Sequence, residues 1–233
     1  MITLAALDMA GTTIDEGDAV YRVLREAAQR EGAQFTDEQF QEWMGTEKRW
    51  AIRNLMQIGG VEVTDERVDA AFEWFLATLH ETYRATPPTA LPGIEEAIRE
   101  LRGRGIKVAL TTGFATSITE AILAGMGWTV GDGDPAATVD AAISADTVAA
   151  GRPAPYLIFR AMEATGVHDV AQVAAVGDTS VDVRAARNAG TLSVGVLTGH
   201  LTREDFAALP QDLVVDSVAD LPDAPQFARG DDA

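Results

Sequence analysis

Asp8 closes a short apolar run, Ile2 to Leu7, and is followed at once by Met9-Ala10-Gly11-Thr12-Thr13. A carboxylate at a strand tip, beside a glycine that lets the backbone turn sharply, is placed to meet a phosphoryl group with turn N–H donors around it. Far along the chain, Gly177-Asp178-Thr179-Ser180-Val181-Asp182 repeats the arrangement after another apolar run, Val173 to Val176. Carboxylates gathered around Asp8 repel one another unless a hard divalent cation lies between them, so Asp8, Asp178 and Asp182 together imply Mg2+ held by oxygen ligands and retained water. Taken singly, an aspartate at a strand end is more often a turn or capping residue. The ordered set is what carries chemistry.

Something must bring residues so distant in sequence together. Beyond Ile2 to Leu7, strand-like runs are Lys107 to Thr111, Ala141 to Ser144, Val173 to Val176 and Leu192 to Val196, interleaved with helical patterns over Glu95 to Arg102, Ile118 to Gly125, Pro155 to Thr165 and Val181 to Ala189. That alternation predicts an α/β fold, a doubly wound parallel sheet covered on both faces, whose ligands bind at the carboxyl ends of the strands. From Asp18 to about Arg84 the pattern is helical only. It has a capping signal at Thr36 to Gln39, a break at Met44-Gly45 with Thr46 as the next N-cap, and a new start near Thr64. The predicted organisation is a core domain from residues 1–17 and 86–222, an all-helical insertion at 18–85 covering the strand ends, and a flexible tail at 223–233. Trp43, Trp50, Phe72, Trp74 and Phe75 are expected to form the insertion's own core and its seam with the sheet.

The formal net charge of -18 argues against a nucleic-acid partner, which needs a basic face. With no cysteine, thiolate metal sites and cysteine nucleophiles are excluded. No stretch reaches the roughly 18 uninterrupted apolar residues of a membrane span, so no membrane partner and a cytoplasmic location are expected. Exposed apolar faces on the inserted helices would allow a homodimer through that segment.

Asp8-x-Ala10-Gly11-Thr12-Thr13, Thr112-Gly113, Arg152-Pro153-x-Pro155 and Gly177-Asp178-Thr179-x-x-Asp182 resemble, in order, the four motifs of the haloacid dehalogenase superfamily. The resemblance implies a Rossmann-like core with a helical cap. It makes Asp8 the nucleophile that becomes an aspartyl-phosphate, and has Asp178 and the Ala10 carbonyl hold Mg2+ beside it, with Asp182 supporting the metal's water shell. Thr112, Gly113 and the Gly11 and Thr12 N–H groups would bind phosphoryl oxygens of a small anionic phosphonate or phosphate.

Two departures narrow the function. Ala10 stands where most phosphatases of the superfamily carry a second aspartate as general acid, whose loss typically forfeits about 10²–10⁴ in rate. Arg152 stands where the third motif usually has lysine; its guanidinium can bridge oxygens but cannot give up a proton. Both changes resemble the phosphonatase branch, in which a cap lysine condenses with a substrate aldehyde. Met44-Gly45-Thr46-Glu47-Lys48 looks like that branch's cap motif, with Met44 and Gly45 beside the substrate. Lys48 would lie in a helix's first turn, where the dipole favours the neutral amine. Ala51, where a histidine is expected, and Phe114, where a tyrosine is expected, depart from the branch. The competing reading is a phosphatase for a small phosphomonoester such as phosphoglycolate. A binding protein that merely retains the fold is separated from both by one variant: Asp8→Asn should lower magnesium-dependent phosphate release by at least about 10³-fold, and release that survives it would remove Asp8 from the chemistry.

Overall fold

The computed structural model describes residues 1–228. Its elements run β1 (Leu4–Asp8), β2 (Ile14–Asp15), α1 (Ala19–Arg30), α2 (Asp37–Gln41), α3 (Lys48–Ile58), α4 (Asp65–Ala85), β3 (Thr89–Ala90), α5 (Ile94–Gly103), β4 (Lys107–Thr112), α6 (Thr116–Met126), β5 (Ala141–Ser144), α7 (Tyr156–Thr165), β6 (Val173–Gly177), α8 (Ser180–Ala189), β7 (Leu192–Val196), α9 (Arg203–Ala207) and β8 (Leu213–Val215). Six strands form one parallel sheet in the order β5-β4-β1-β6-β7-β8. β1 and β6 are buried along their whole length, as continuous apolar strands covered on both faces must be. On one face Leu157, Ile158 and Ala161 of α7 and Ala185, Ala186 and Ala189 of α8 pack on Leu4, Ala6 and Ala175. On the other, Ile94, Ile98 and Leu101 of α5 and Ile118 and Ile122 of α6 join a core with Ala5, Leu7, Val108 and Leu110.

The chain runs from β1 outward to β4 and β5, then returns to place β6 on the other side of β1. Neighbouring strands whose connections leave in opposite directions open a crevice at their carboxyl ends. Register puts Asp8 opposite Thr111 and Leu7 opposite Val176, so Asp8, Thr112 and Asp178 emerge at the same end of three adjacent strands.

Helices α1 to α4 fill the predicted insertion. Val23, Leu24, Ile52, Leu55, Phe75 and Leu79 extend the buried cluster of the α5–α6 face into it. Thr36 and Gln39 form the expected capping box on α2. The expected cap of α3 is corrected. The N-cap is Glu47, whose carboxylate accepts from the Arg49 and Trp50 N–H groups, both at 2.7 Å, while the Thr46 hydroxyl is spent on the Trp43 carbonyl. Of the five aromatics assigned to core and seam, Phe75 is buried and Trp43, Phe72 and Trp74 are partly buried, whereas Trp50 is 45% exposed.

The tail expectation is also corrected where it falls on described residues. Val218–Asp223 and Pro225–Phe227 form 3-10 turns, Phe227 is fully buried, and Arg104 donates to the carbonyls of Pro222 and Phe227. Beyond Asp223 one aromatic, Phe227, anchors this stretch, too sparse a signal for periodicity to register. Residues 229–233 lie outside the described residues. Truncating a fully buried phenylalanine typically costs about 3–5 kcal/mol; Phe227→Ala should therefore lower the urea midpoint clearly, and an unchanged midpoint would restore the frayed tail.

Candidate active site

Strand tips supply the acidic half of the site. One carboxylate oxygen from each of Asp8, Asp178 and Asp182 lies within 4.8 Å of the other two, and all three residues are buried. Asp8 ends β1; Asp178 follows β6 directly; Asp182 sits in the first turn of α8, where it accepts from the Thr179 N–H at 3.1 Å and from the Thr179 hydroxyl. Burial, and after it the neighbouring carboxylates, push Asp178 well above the usual carboxylate range. Asp8 is raised to about 6, chiefly by burial, with Arg152 pulling the other way.

Arg152 spans the gap between the carboxylates. With 4% of its surface exposed, it donates from Nη2 to Asp8 Oδ1 at 2.5 Å and to the Thr111 carbonyl at 3.2 Å, and from Nη1 to Asp182 Oδ1. One guanidinium against three carboxylates leaves the cluster anionic. Asp178 gives Oδ1 to the Thr12 hydroxyl at 2.9 Å, and Oδ2 has no hydrogen-bond partner among the described residues. Hard oxygen donors, residual negative charge and an unused carboxylate oxygen fit a divalent cation.

The inserted helices supply the other half. The turn at residues 45–47 lands on the core at three points where a side chain would not fit. A Cβ on Gly45 would lie 2.6 Å from Thr179 Oγ1, one on Gly113 2.8 Å from the Thr46 carbonyl oxygen, and one on Gly151 3.0 Å from Glu47 Cβ. This landing carries Lys48, the first residue of α3, into the crevice, 4% exposed, its Nζ donating to the Thr46 carbonyl at 2.9 Å. Lys48 lines one cavity with Asp8, Ala10, Thr112, Gly113 and Arg152, and about 10 Å3 remains between them. That holds about one water molecule, so the arrangement is a closed one, and a substrate requires the walls to part.

The Lys48 ammonium is depressed to about 8, first by burial and second by the Arg152 charge. The direction agrees with expectation; the cause does not. Glu47 caps the helix end with a carboxylate, so desolvation and a neighbouring cation, rather than an uncompensated dipole, favour the amine.

Comparison with known proteins places this geometry in a family. A family model for haloacid dehalogenase-like hydrolases matches residues 2–190. Phosphonoacetaldehyde hydrolase of Bacillus cereus (strain AH187) is 31% identical over 229 residues, covering 91% of this chain and 83% of that protein. The chain belongs to the haloacid dehalogenase-like hydrolases, in their phosphonatase-like branch. Phosphonoacetaldehyde hydrolase of Parabacteroides distasonis is 29% identical over 225 residues, covering 88% and 81%. A solved phosphonoacetaldehyde hydrolase-like protein from Oleispira antarctica superposes with a TM-score of 0.75 at 26% identity, covering 94% of this chain and 89% of that one.

For this haloacid dehalogenase-like hydrolase, the structure brings Asp8, Lys48, Arg152, Thr112, Gly45, Gly113 and Ala10 to one cavity, and sets other expected residues apart from it. The Gly11 and Thr12 N–H groups donate to the carbonyls of Ile14 and Met9, so neither is free for a phosphoryl oxygen. Gly11 instead makes room for Asp178, since a Cβ there would lie 2.7 Å from Asp178 Oδ2. Met44 packs against the hydrophobic core and is not among the cavity's lining residues. Asp182 spends both oxygens on Arg152 and Thr179; it is a strut for the guanidinium rather than an unengaged ligand. Sequence reasoning missed Tyr21, which lines the cavity, and Glu16, which accepts from Tyr83 Oη at 3.0 Å. Tyr21 flanks the apolar stripe Val20, Val23, Leu24 and Ala27 of α1, and that flank position was the signal available.

The chain has only two lysines, Lys48 and Lys107. As pH rises through about 8, Lys48 should pass from ammonium to amine while Lys107, held up by its hydrogen bond to Asp132, stays charged past 10.5. Nζ shifts of 15N-lysine-labelled protein would display the two transitions separately. A shared midpoint above 10 would contradict the burial of Lys48.

Proposed function

We propose that this hydrolase cleaves the carbon–phosphorus bond of phosphonoacetaldehyde or a related 2-oxo-alkylphosphonate, with Asp8 as phosphoryl acceptor and Lys48 as Schiff-base amine. The observation that carries the reading is the buried Lys48, depressed to about 8 in the same cavity as Asp8. The kinship with phosphonoacetaldehyde hydrolases and the replacement of the general acid by Ala10 support it further. In this reading residues 18–85 act as a cap domain over a core of residues 1–17 and 86–222.

The neutral Lys48 amine adds to the carbonyl carbon and water is lost, leaving an iminium. As an Asp8 oxygen bonds to phosphorus, the C–P electron pair moves into a carbon–carbon double bond and neutralises the iminium nitrogen. No alkoxide forms, so a general acid at position 10 is not needed. Protonation of the enamine carbon and hydrolysis of the resulting imine free the carbonyl product and Lys48, and water cleaves the aspartyl-phosphate to inorganic phosphate. Arg152 holds Asp8 and offers charge to phosphoryl oxygens; Thr112 and Gly113 line the phosphoryl side. Asp8, Asp178 and the Ala10 carbonyl would hold Mg2+, which supplies Lewis-acid neutralisation of the phosphoryl oxygens.

Borohydride added with phosphonoacetaldehyde should reduce the iminium and leave a mass adduct on the peptide containing Lys48. Lys48→Ala should lose C–P cleavage by at least about 10³-fold. Turnover of the phosphonate without an adduct would remove the Schiff base; hydrolysis of phosphoglycolate that survives Lys48→Ala and outpaces the phosphonate would favour a phosphatase.

A further inference from the structure

Tyr21 stands between two cavities. It lines the small catalytic one with Asp8, Lys48 and Arg152, and with Asp18, Asp178, Gly199 and His200 it lines a neighbouring space of about 230 Å3. Lys48 Nζ lies 5.6 Å from the phenol ring centroid, and the His200 ring meets it edge-on at 6.1 Å. The ring is therefore fixed by contacts on both sides, while no described residue accepts a hydrogen bond from its hydroxyl. Burial first, and after it the charges of Asp178, Asp8, Asp182 and Glu16, hold the phenol well above its ordinary value. It stays protonated throughout the working range, a neutral donor beside a carboxylate cluster but bonded to none of it. Tyr21 and Asp8 line the same cavity, so an acceptor seated against Asp8 lies in the space that the phenol borders. The other side-chain donors in the cavity wall are Arg152, engaged with Asp8, Lys48, engaged with the Thr46 carbonyl, and the Thr112 hydroxyl at the tip of β4; Tyr21 is the neutral side-chain donor that the inserted segment contributes.

We propose that the Tyr21 hydroxyl is the inserted segment's hydrogen-bond donor to the bound phosphoryl group, so that α1 holds the phosphoryl end of the substrate while Lys48 on α3 holds the carbonyl end. The inference rests on the site taking a phosphoryl group, and the Tyr21 contact would be the same for a phosphonate or a phosphomonoester. It gives α1, which carries no motif residue, a direct part in recognition.

Inorganic phosphate in magnesium buffer is the probe. Calorimetry should show Tyr21→Phe binding phosphate about tenfold or more weaker than the parent, the effect of one hydrogen bond to a charged group. The chain has three tyrosines, so protein grown with 3-fluorotyrosine should give three 19F signals, the one missing in Tyr21→Phe belonging to Tyr21. Phosphate should shift that signal, a response that reads the parent side chain and does not depend on the variant folding. Parent protein that binds phosphate with the Tyr21 signal unmoved, or a folded Tyr21→Phe that binds as tightly as the parent, overturns the role of Tyr21 alone. Parent protein that binds no phosphate overturns the phosphoryl reading as well.

Discussion

The buried bridge from Arg152 to Asp8 and Asp182 is the interaction on which the rest of the site depends. Three buried carboxylates crowded around the ends of β1 and β6 are destabilising, and the guanidinium is the cation hydrogen-bonded among them. Removing one partner of a buried pair typically costs about 3–5 kcal/mol because the other charge is left behind. Arg152 therefore does more than orient Asp8. It is also the second cause of the Lys48 depression, so one side chain ties Asp8 to the amine contributed by α3. A divalent cation among the same carboxylates would act on Lys48 in the same direction, adding a positive charge near a group that is easiest to bury neutral.

That coupling needs close approach, which the backbone provides. Where the 45–47 turn meets the core, one partner at each contact is a glycine. Gly45 and Gly11 also adopt positive φ, +75° and +80°, at turns a Cβ would both strain and obstruct. Lys48 reaches the cavity because at each of these contacts one of the two partners has no side chain. The 10 Å3 cavity is smaller than a phosphonate or phosphate ester, so binding requires the inserted helices and the sheet to part.

Much of this was legible in the sequence because the sheet strands are short, apolar and followed by polar clusters. β5 and β7 match their predicted limits, and β1, β4 and β6 differ from theirs by two residues or fewer at either end. What escaped did so for physical reasons. β8 is a three-residue edge strand, and the β2–β3 pair has two residues on each side, too short for alternation to show. Thr46 was a sound N-cap by residue type, but Glu47 reaches two N–H groups at once and displaced it. The hydrogen bonds that occupy the Gly11 and Thr12 N–H groups depend on a turn closing on Met9 and Ile14, which spacing alone does not specify. Asp182 was visible as an acid in the fourth motif, yet its engagement by Arg152 joins residues 30 positions apart.

The distribution of cations sharpens the last point. Sixteen of the eighteen basic residues are arginines, so a lysine is a departure from the chain's own habit. Lys107 sits at the surface in an ion pair with Asp132 that an arginine could also make. Lys48 is different: buried with Arg152 in one cleft, it is the cation of the pair that can relinquish its proton. The carboxylates around Arg152 drive that group further toward permanent charge, while burial drives Lys48 toward neutrality. Exchanging the two types would place an undischargeable cation on the inserted helix and a compact ammonium where bidentate bridging of Asp8 and Asp182 is needed. The division between a fixed charge at Arg152 and a removable one on α3 is thus set by side-chain chemistry, and only the second can present a neutral amine to the cavity.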